Sequence, residues 1–452
     1  MKLQLFDYQA QAADLMVTRD RFGLHDEMGI GKTATTIGAM DRLLAERGVI
    51  VCPAMLRENW MKEIKRFSVY DRRVCKGKNI HDFIAWSRGR FDILLASYEQ
   101  MTKWMRDYKK HGEFIDFLAF DEAHYLKNTT SNRSRALLGY EADGENSLTQ
   151  WAVNAYHVTG TPMANDPLDV YTFLRFANAI DMPQKDFVEH FFTKRVTTYS
   201  ARHSIKDETR DTLQRLIYNN SIRRTHQQVG MYLPPIFLTE LLLEGDALEL
   251  HKMLEAYPHL EQVIIDAIEQ GDIGLLSADY VAVVRRLVGK AKAVPYADLL
   301  KMELDCGAGK RVCFFHHTEP LLYVRKHLER YGYGVVCAYG DTPERERVEA
   351  VERFQNDPSV QVFLGNIKVA GTGLTLTASC EIDMVESDWS PAGNAQALKR
   401  VHRYGQENTV QARFITLANS IDVEVNKTVQ AKTAAIAEIE GTSMNAAPSP
   451  LA

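Results

Sequence analysis

Short runs of apolar and β-branched residues recur along the chain, each followed by a polar or glycine-bearing loop and a stretch of helical period. In the first half these runs occupy 49–53, 92–98, 117–121 and 157–161. In the second half they occupy 311–316, 335–339, 361–365, 381–386 and 411–417. Strands alternating with helices predict an α/β fold with two tandem parallel sheets flanked by helices. Ligands on such sheets bind beyond the carboxyl ends of the strands, which is where the chemistry-bearing residues fall. Between the halves, from about 238 to 293, the pattern changes to a helical one, with Leu250, Met253, Leu254, Leu260, Val263, Ile264 and Ile268 at core-packing spacing. The expected division is a first lobe over 1–225, a helical insertion over 226–290, a second lobe over 291–440 and a disordered tail over 441–452, small, polar and proline-containing.

Composition narrows the class. A chain of 452 residues with 45% apolar and 25% charged residues is a globular protein of more than one domain. No run is long and apolar enough to span a bilayer, and the first residues carry no signal-peptide core. The six cysteines are isolated, with no C-x-x-C pair, so neither a zinc finger nor a redox motif is suggested and reduced thiols in a cytoplasm are expected. A net charge of −5 argues against a protein basic all over but leaves room for a basic groove on an acidic body.

Three segments carry the chemistry. Asp26-Glu27-Met28-Gly29-Ile30-Gly31-Lys32-Thr33 precedes a helical run. Gly29 and Gly31 let backbone N–H groups curve around phosphate oxygens at a helix N-terminus. Lys32 suits the β- and γ-phosphates of ATP, and the Thr33 hydroxyl suits Mg²⁺. Asp26 stands where the general pattern has its first glycine. Downstream, the apolar run Phe117-Leu118-Ala119-Phe120 ends in Asp121 and Glu122. Asp121 is the second expected Mg²⁺ ligand, and Glu122 the general base for water. His124 is either a link from this site to the next motif or a packed structural histidine. Far down the chain, 396–406 reads as a helix presenting Arg400 and Arg403 on one face, as arginine fingers for the transition state. Two arginines so spaced more often form a solvated face; the two earlier motifs favour the fingers. If the fingers and the phosphate loop belong to different sheets, hydrolysis requires the sheets to close.

In series, these segments resemble the motifs of helicase superfamily 2, in particular the SWI/SNF-like DNA translocases and their annealing-helicase and fork-remodeller branch. Phe6-Asp7-Tyr8-Gln9 resembles the adenine-reading Q motif, with Gln9 at the base edge. Residues 26–33 match D-E-M-G-x-G-K-T. Cys52-Pro53 through Asn59-Trp60 resembles motif Ia. Asp121-Glu122-Ala123-His124 with Lys127-Asn128 matches D-E-A-H-x-x-K-N. Thr159-Gly160-Thr161-Pro162 with Asn165 resembles motif III, giving Thr159 and Thr161 a coupling role. Arg223-Arg224-Thr225 with Leu233-Pro234-Pro235 matches elements ahead of the second lobe. Gly371 to Thr375 resembles motif V, with Gly371 at the nucleotide; Asp388-Trp389-Ser390-Pro391 and 396–406, with Gln396 among the catalytic residues, resemble the last two. Gly289-Lys290-Ala291-Lys292 and Phe314-Phe315-His316-His317 point to the branch. Lys399 in place of glycine and Thr375 in place of asparagine depart from the pattern without removing a hydrolytic group.

The resemblance implies two RecA-like lobes and a DNA-dependent ATPase moving along double-stranded DNA, branched or forked, as a monomeric motor. By motif position it implies DNA contacts from Arg57, Ser97, Tyr98, Lys127 and Asn128 in the first lobe and from His317, Lys368, Thr372 and Trp389 in the second. Such contacts track phosphates and are sequence-independent. With the first motif at residue 6 and no appended chromatin-reading, zinc or fork-recognition domain, a bare motor from a phage, virus or bacterium is expected rather than a chromatin remodeller. The interval from Thr375 to Gln396 has no room for a strand-separating β-hairpin. Two alternatives stay open: a strand-separating helicase, and a non-enzymatic DNA-binding scaffold, against which all the hydrolytic residues are present.

Overall fold

Among the described residues, parallel pairing accounts for every strand contact in the two main sheets. The computed structural model describes residues 2–111, 114–139, 147–164, 166–196, 201–244, 278–370, 374–388, 390–418 and, in part, 420–429. The chain divides into two compact units, one of 1–192 with 205–232, the other of 193–204 with 233–452.

In the first unit, β1 (Arg21–Leu24), β2 (Gly48–Val51), β3 (Val74–Lys76), β4 (Ile93–Ala96), β5 (Ile115–Asp121) and β6 (Ala152–Val158) join one sheet. After a short two-stranded sheet of β7 (Phe192–Val196) with β8 (Ala201–Ile205), most of which falls in the second unit, β9 (Ser221–Ile222) closes the first unit's sheet edge in the order β3-β4-β2-β5-β6-β1-β9. β2 and β4 are buried along their whole length, as parallel strands covered on both faces must be. The core on one face gathers Phe22, Ile50, Leu95, Phe117 and Tyr156 from the strands with Ile37, Met40, Trp60 and Ile64 from the helices Lys32–Arg42 and Arg57–Phe67.

The second unit holds β10 (Ile236–Leu243), β11 (Arg311–Phe315), β12 (Gly334–Ala338), β13 (Val360–Asn366), β14 (Glu381–Met384) and β15 (Val410–Leu417), ordered β10-β15-β14-β11-β13-β12. Alternation along β11 sends Val312 and Phe314 into one core and Cys313 and Phe315 into the other. The helix Ala278–Asp305 packs on the second face through Tyr296, Ala297 and Leu300, with Pro295 inside it.

Three expectations are corrected. The run at 157–161 belongs to a strand that starts earlier and ends at Val158, so Thr159 and Thr161 lie in the loop beyond it. The segment from Leu238 to Leu243 is not helical: it pairs residue for residue with β15, and that register outweighs the local leucine spacing. The expected helix over 396–406 stops at Leu398. There the Arg400 carbonyl accepts from the Leu376 N–H, the Gln406 side chain bonds the carbonyls of Thr377 and Ser379, and Gly405 takes φ +94°, so the backbone from Lys399 onward is a turn. β1, β3, β9 and β10 went unread because each is very short or lies at an edge. The leucine-rich stripe of 250–268 and the tail 441–452 lie outside the described residues. No described helix is long and apolar enough to cross a membrane.

The second sheet buries a charge cluster. Asp383, fully buried, takes Arg413 at 2.7 and 2.9 Å, the Tyr296 hydroxyl at 2.8 Å and Arg311 at 3.3 Å. Glu303 shares both arginines. Asp383→Asn leaves the guanidiniums with only part of their counter-charge, and a loss of about 3 kcal/mol of stability is expected. Denaturant unfolding of the full chain measures it; an unshifted midpoint would refute the assignment.

Candidate nucleotide site and adjoining groove

The strand order β5-β6-β1 puts three carboxyl ends side by side. β1 feeds the glycine loop, β5 ends on Asp121, and Thr159 follows β6. Gly29 and Gly31 sit at φ +93° and +96°, left-handed conformations in which successive N–H groups line a concave loop. A Cβ on Gly31 would stand 2.3 Å from the Gln9 side chain. The loop opens the helix Lys32–Arg42, whose positive end faces it, with Thr33 half-buried in the first turn.

Lys32 donates to the carbonyls of Asp26 at 2.8 Å and Glu27 at 3.2 Å. Burial lowers its pKa, opposed by the charges of Glu122, Asp26 and Asp121. Asp26 is fully buried, and its carboxylate is clamped by the Arg224 guanidinium and accepts the Arg224 N–H at 2.9 Å. The residue standing in for glycine therefore fixes the base of the loop. Glu27 pairs similarly with His226 at 2.6 Å.

Asp121 accepts from the Trp60 indole N–H at 2.7 Å and from the Glu122 N–H at 3.0 Å. Burial and the neighbouring Glu122 push its pKa up to about 7, against the pull of Trp60 and Lys32. Glu122 adopts φ 52°, ψ 48°, a strained conformation for a residue with a side chain, turning the chain sharply after the strand. His124 stands between motifs, with Nδ1 3.2 Å from the Thr159 hydroxyl and 3.3 Å from the Glu122 carboxylate. The Thr159 hydroxyl also accepts the Thr161 N–H at 3.1 Å. Gln9 is buried; its side chain accepts from the Phe6 N–H and donates to the Ile30 carbonyl, bracing the phosphate loop. Tyr8 donates to the same carbonyl and stacks on exposed Phe6.

Beside this site, His124, Tyr125, Lys127, Asn128, Ser131 and Arg133 line an open groove. It takes in Lys127 and Asn128, expected as DNA contacts; Tyr125 and Arg133 were not foreseen. Two other expected contacts are corrected. Tyr98 is 1% exposed and its hydroxyl donates to the Asp121 carbonyl at 2.7 Å, so it belongs to the core. Ser97, 3% exposed, exchanges hydrogen bonds with Gln100 in the reciprocal arrangement that caps a helix N-terminus, here that of Tyr98–His111. Arg57 reaches Gln100 at 2.8 Å and the carbonyl of Gly77.

In the second unit, His317 pairs with buried Glu386 at 2.7 Å. Burial works to raise the Glu386 pKa, but hydrogen bonds and charge from His317 leave it lowered. Lys368 is exposed, Gln396 lies in the last turn of the helix Pro391–Leu398, and Arg403 donates to the Leu374 carbonyl at 3.1 Å. Because the helix stops at Leu398, Arg400 and Arg403 are held by the turn rather than by a helical face. Gly371, Thr372, Trp389 and Asn165 lie outside the described residues.

A family model described as SNF2-related domain matches residues 8–281, and one described as Helicase conserved C-terminal domain matches 295–405. The chain is 26% identical over 465 residues to the DNA annealing helicase and endonuclease ZRANB3 of Bos taurus, covering 98% of this chain and 41% of that protein. It is 25% identical over 474 residues to the DNA repair and recombination protein RAD54B of Gallus gallus, covering 90% and 50%. The chain thus spans half or less of the length of these relatives, which are animal proteins and lend no support to a phage or bacterial source. A solved structure, the Sulfolobus solfataricus SWI2/SNF2 ATPase core in complex with dsDNA, aligns over 98% of both chains at 19% identity and a TM-score of 0.45.

The geometry separates two roles. Lys32→Ala is expected to weaken nucleotide binding by about tenfold or more, the value of a charge-assisted contact. Glu122→Gln is expected to bind nucleotide normally and to lose about 10²-fold or more in turnover. Binding of a fluorescent ATP analogue beside phosphate release separates them; equal loss of binding in both variants would contradict the division.

Proposed function

The chain belongs to the SNF2-related family, and from that membership we propose that it is an ATP- and Mg²⁺-dependent motor that moves along double-stranded DNA without separating the strands. The observation that carries the reading is the convergence of Lys32, Asp121, Glu122 and the His124–Thr159 contact at three adjacent strand ends of the first unit. A scaffold without hydrolysis has no use for a strained carboxylate beside a buried one.

The residues fit the groups they are assigned. The glycine loop is a cradle that side chains would fill, and Lys32 exchanges the carbonyls of Asp26 and Glu27 for phosphate oxygens. Thr33 and Asp121 offer the hard oxygen donors that Mg²⁺ takes, so Asp121 in its charged form suits a cation. When bound, the ion neutralises charge on the β- and γ-phosphates. Glu122 orients the attacking water and accepts its proton, while His124 relays the state of Glu122 to Thr159 and Thr161. Arg400 and Arg403 are assigned to the charge that develops in the transition state. Arg400→Ala and Arg403→Ala are each expected to lower turnover on DNA by about 10³-fold. Near-normal turnover in either variant would remove that arginine from the assignment.

DNA as the track is supported by the relatives, whose names place them in DNA annealing and in DNA repair and recombination. The annealing-helicase name favours duplex carrying a branch or fork. Movement without unwinding is supported by the stretch between the last motifs, where β14 is the only strand among the described residues of 374–396. That leaves no second strand there for a hairpin wedge. With ATP and Mg²⁺, the protein is expected to displace the third strand of a DNA triplex and to leave a tailed duplex intact. Release of the duplex strand without triplex displacement would make it a strand-separating helicase instead.

A further inference from the structure

Between the groove and the nucleotide site lies a small aromatic assembly to which the reaction assigns no role. The rings of Tyr98 and Tyr125 stack 5.4 Å apart at an interplanar angle of 6°. The Arg133 guanidinium lies over both, 5.6 Å from the Tyr98 centroid and 5.5 Å from that of Tyr125. Arg133 is also tied to Glu99 at 2.8 Å, across an exposed face. Tyr125 and Arg133 line the groove, while buried Tyr98 donates at 2.7 Å to the carbonyl of Asp121. The aromatic pair thus has one end in the groove and the other on the backbone of an expected Mg²⁺ ligand.

We propose that Tyr98 is a positioning residue through which occupation of the groove by a DNA phosphate sets the placement of Asp121, and that the Arg133–Glu99 ion pair is the latch that phosphate must open. This rests on the reading of the chain as a DNA-dependent ATPase. The physical basis is competition for one guanidinium. A phosphate makes stronger, bidentate hydrogen bonds with arginine than a half-exposed carboxylate does, so bound DNA draws Arg133 away from Glu99. Arg133 is packed over both rings by cation–π attraction, so its displacement re-seats the stack. Tyr98 is buried and its hydroxyl donates to the Asp121 carbonyl, so a shift of its ring is delivered there. A lysine at 133 would supply charge to the phosphate but no planar group to the stack.

The test uses the full chain, measuring ATP turnover without DNA and with saturating duplex DNA, KM for ATP, and duplex affinity by fluorescence anisotropy. Tyr98→Phe keeps the ring stack and removes only the hydroxyl. It is expected to bind duplex as the parent does, with unchanged KM, while the ratio of DNA-stimulated to basal turnover falls roughly fivefold, the rate equivalent of one hydrogen bond. Arg133→Lys is expected to retain duplex affinity within about threefold and to lose a similar share of the stimulation. Glu99→Gln opens the latch, so half-maximal stimulation needs less DNA. If Tyr98→Phe keeps the full stimulation ratio, or lowers basal and stimulated turnover by the same factor, Tyr98 does not transmit occupation of the groove and the inference fails. If Glu99→Gln leaves the DNA requirement unchanged, the latch is wrong. A parent protein that duplex DNA does not stimulate at all would overturn the DNA-dependent reading itself, an outcome read before any variant is compared.

Discussion

In a parallel sheet every strand delivers its carboxyl end to the same edge, and the candidate nucleotide site depends on that constraint. Because β6 lies between β5 and β1, residues far apart in the sequence arrive side by side: Lys32 after β1, Asp121 at the end of β5, Thr159 after β6. The strands hold this arrangement because they are apolar and covered on both faces, so a one-residue slip would bury loop polar groups and expose core. The same covering makes Asp121 costly to bury. Trp60 and Lys32 offset part of that cost and still leave the carboxyl raised to about 7, an environment that favours a cation beside it.

Much of this was legible in the sequence. Glycines, lysine and threonine in a fixed order, and two carboxylates closing an apolar run, carry their chemistry in their spacing. The α/β class followed from the alternation of short apolar runs with helical ones. What stayed hidden depends on contacts that spacing does not encode. Asp26 departs from the glycine pattern, and only the fold shows Arg224 beside it, 198 positions away. Tyr98 follows a strand as surface residues often do, yet it turns inward because its hydroxyl has the Asp121 carbonyl to satisfy. Gln9 was expected at a base edge, and the fold adds that its side chain also braces the loop through the Ile30 carbonyl. The end of the helix at Leu398 came from Gln406 capturing distant carbonyls, which local propensity does not foresee.

The two units manage buried charge differently. Around Asp383 each carboxylate meets an arginine, and the cluster ties β11, β14 and β15 to the helix Ala278–Asp305. At Asp121 and Glu122 two like charges adjoin, one of them on a strained backbone. Such strain persists because the surrounding sheet over-determines it.

The Asp26–Arg224 clamp bears on how the molecule is made. The base of the phosphate loop is closed by an arginine that follows the whole sheet, and β9 beside it pairs with β1. A chain emerging from the ribosome at about 5–20 residues per second exposes the loop for many seconds before its anchor exists. Arg224 is made 198 residues after Asp26, so the loop can take its clamped form only once the first unit has been synthesised through its last strand.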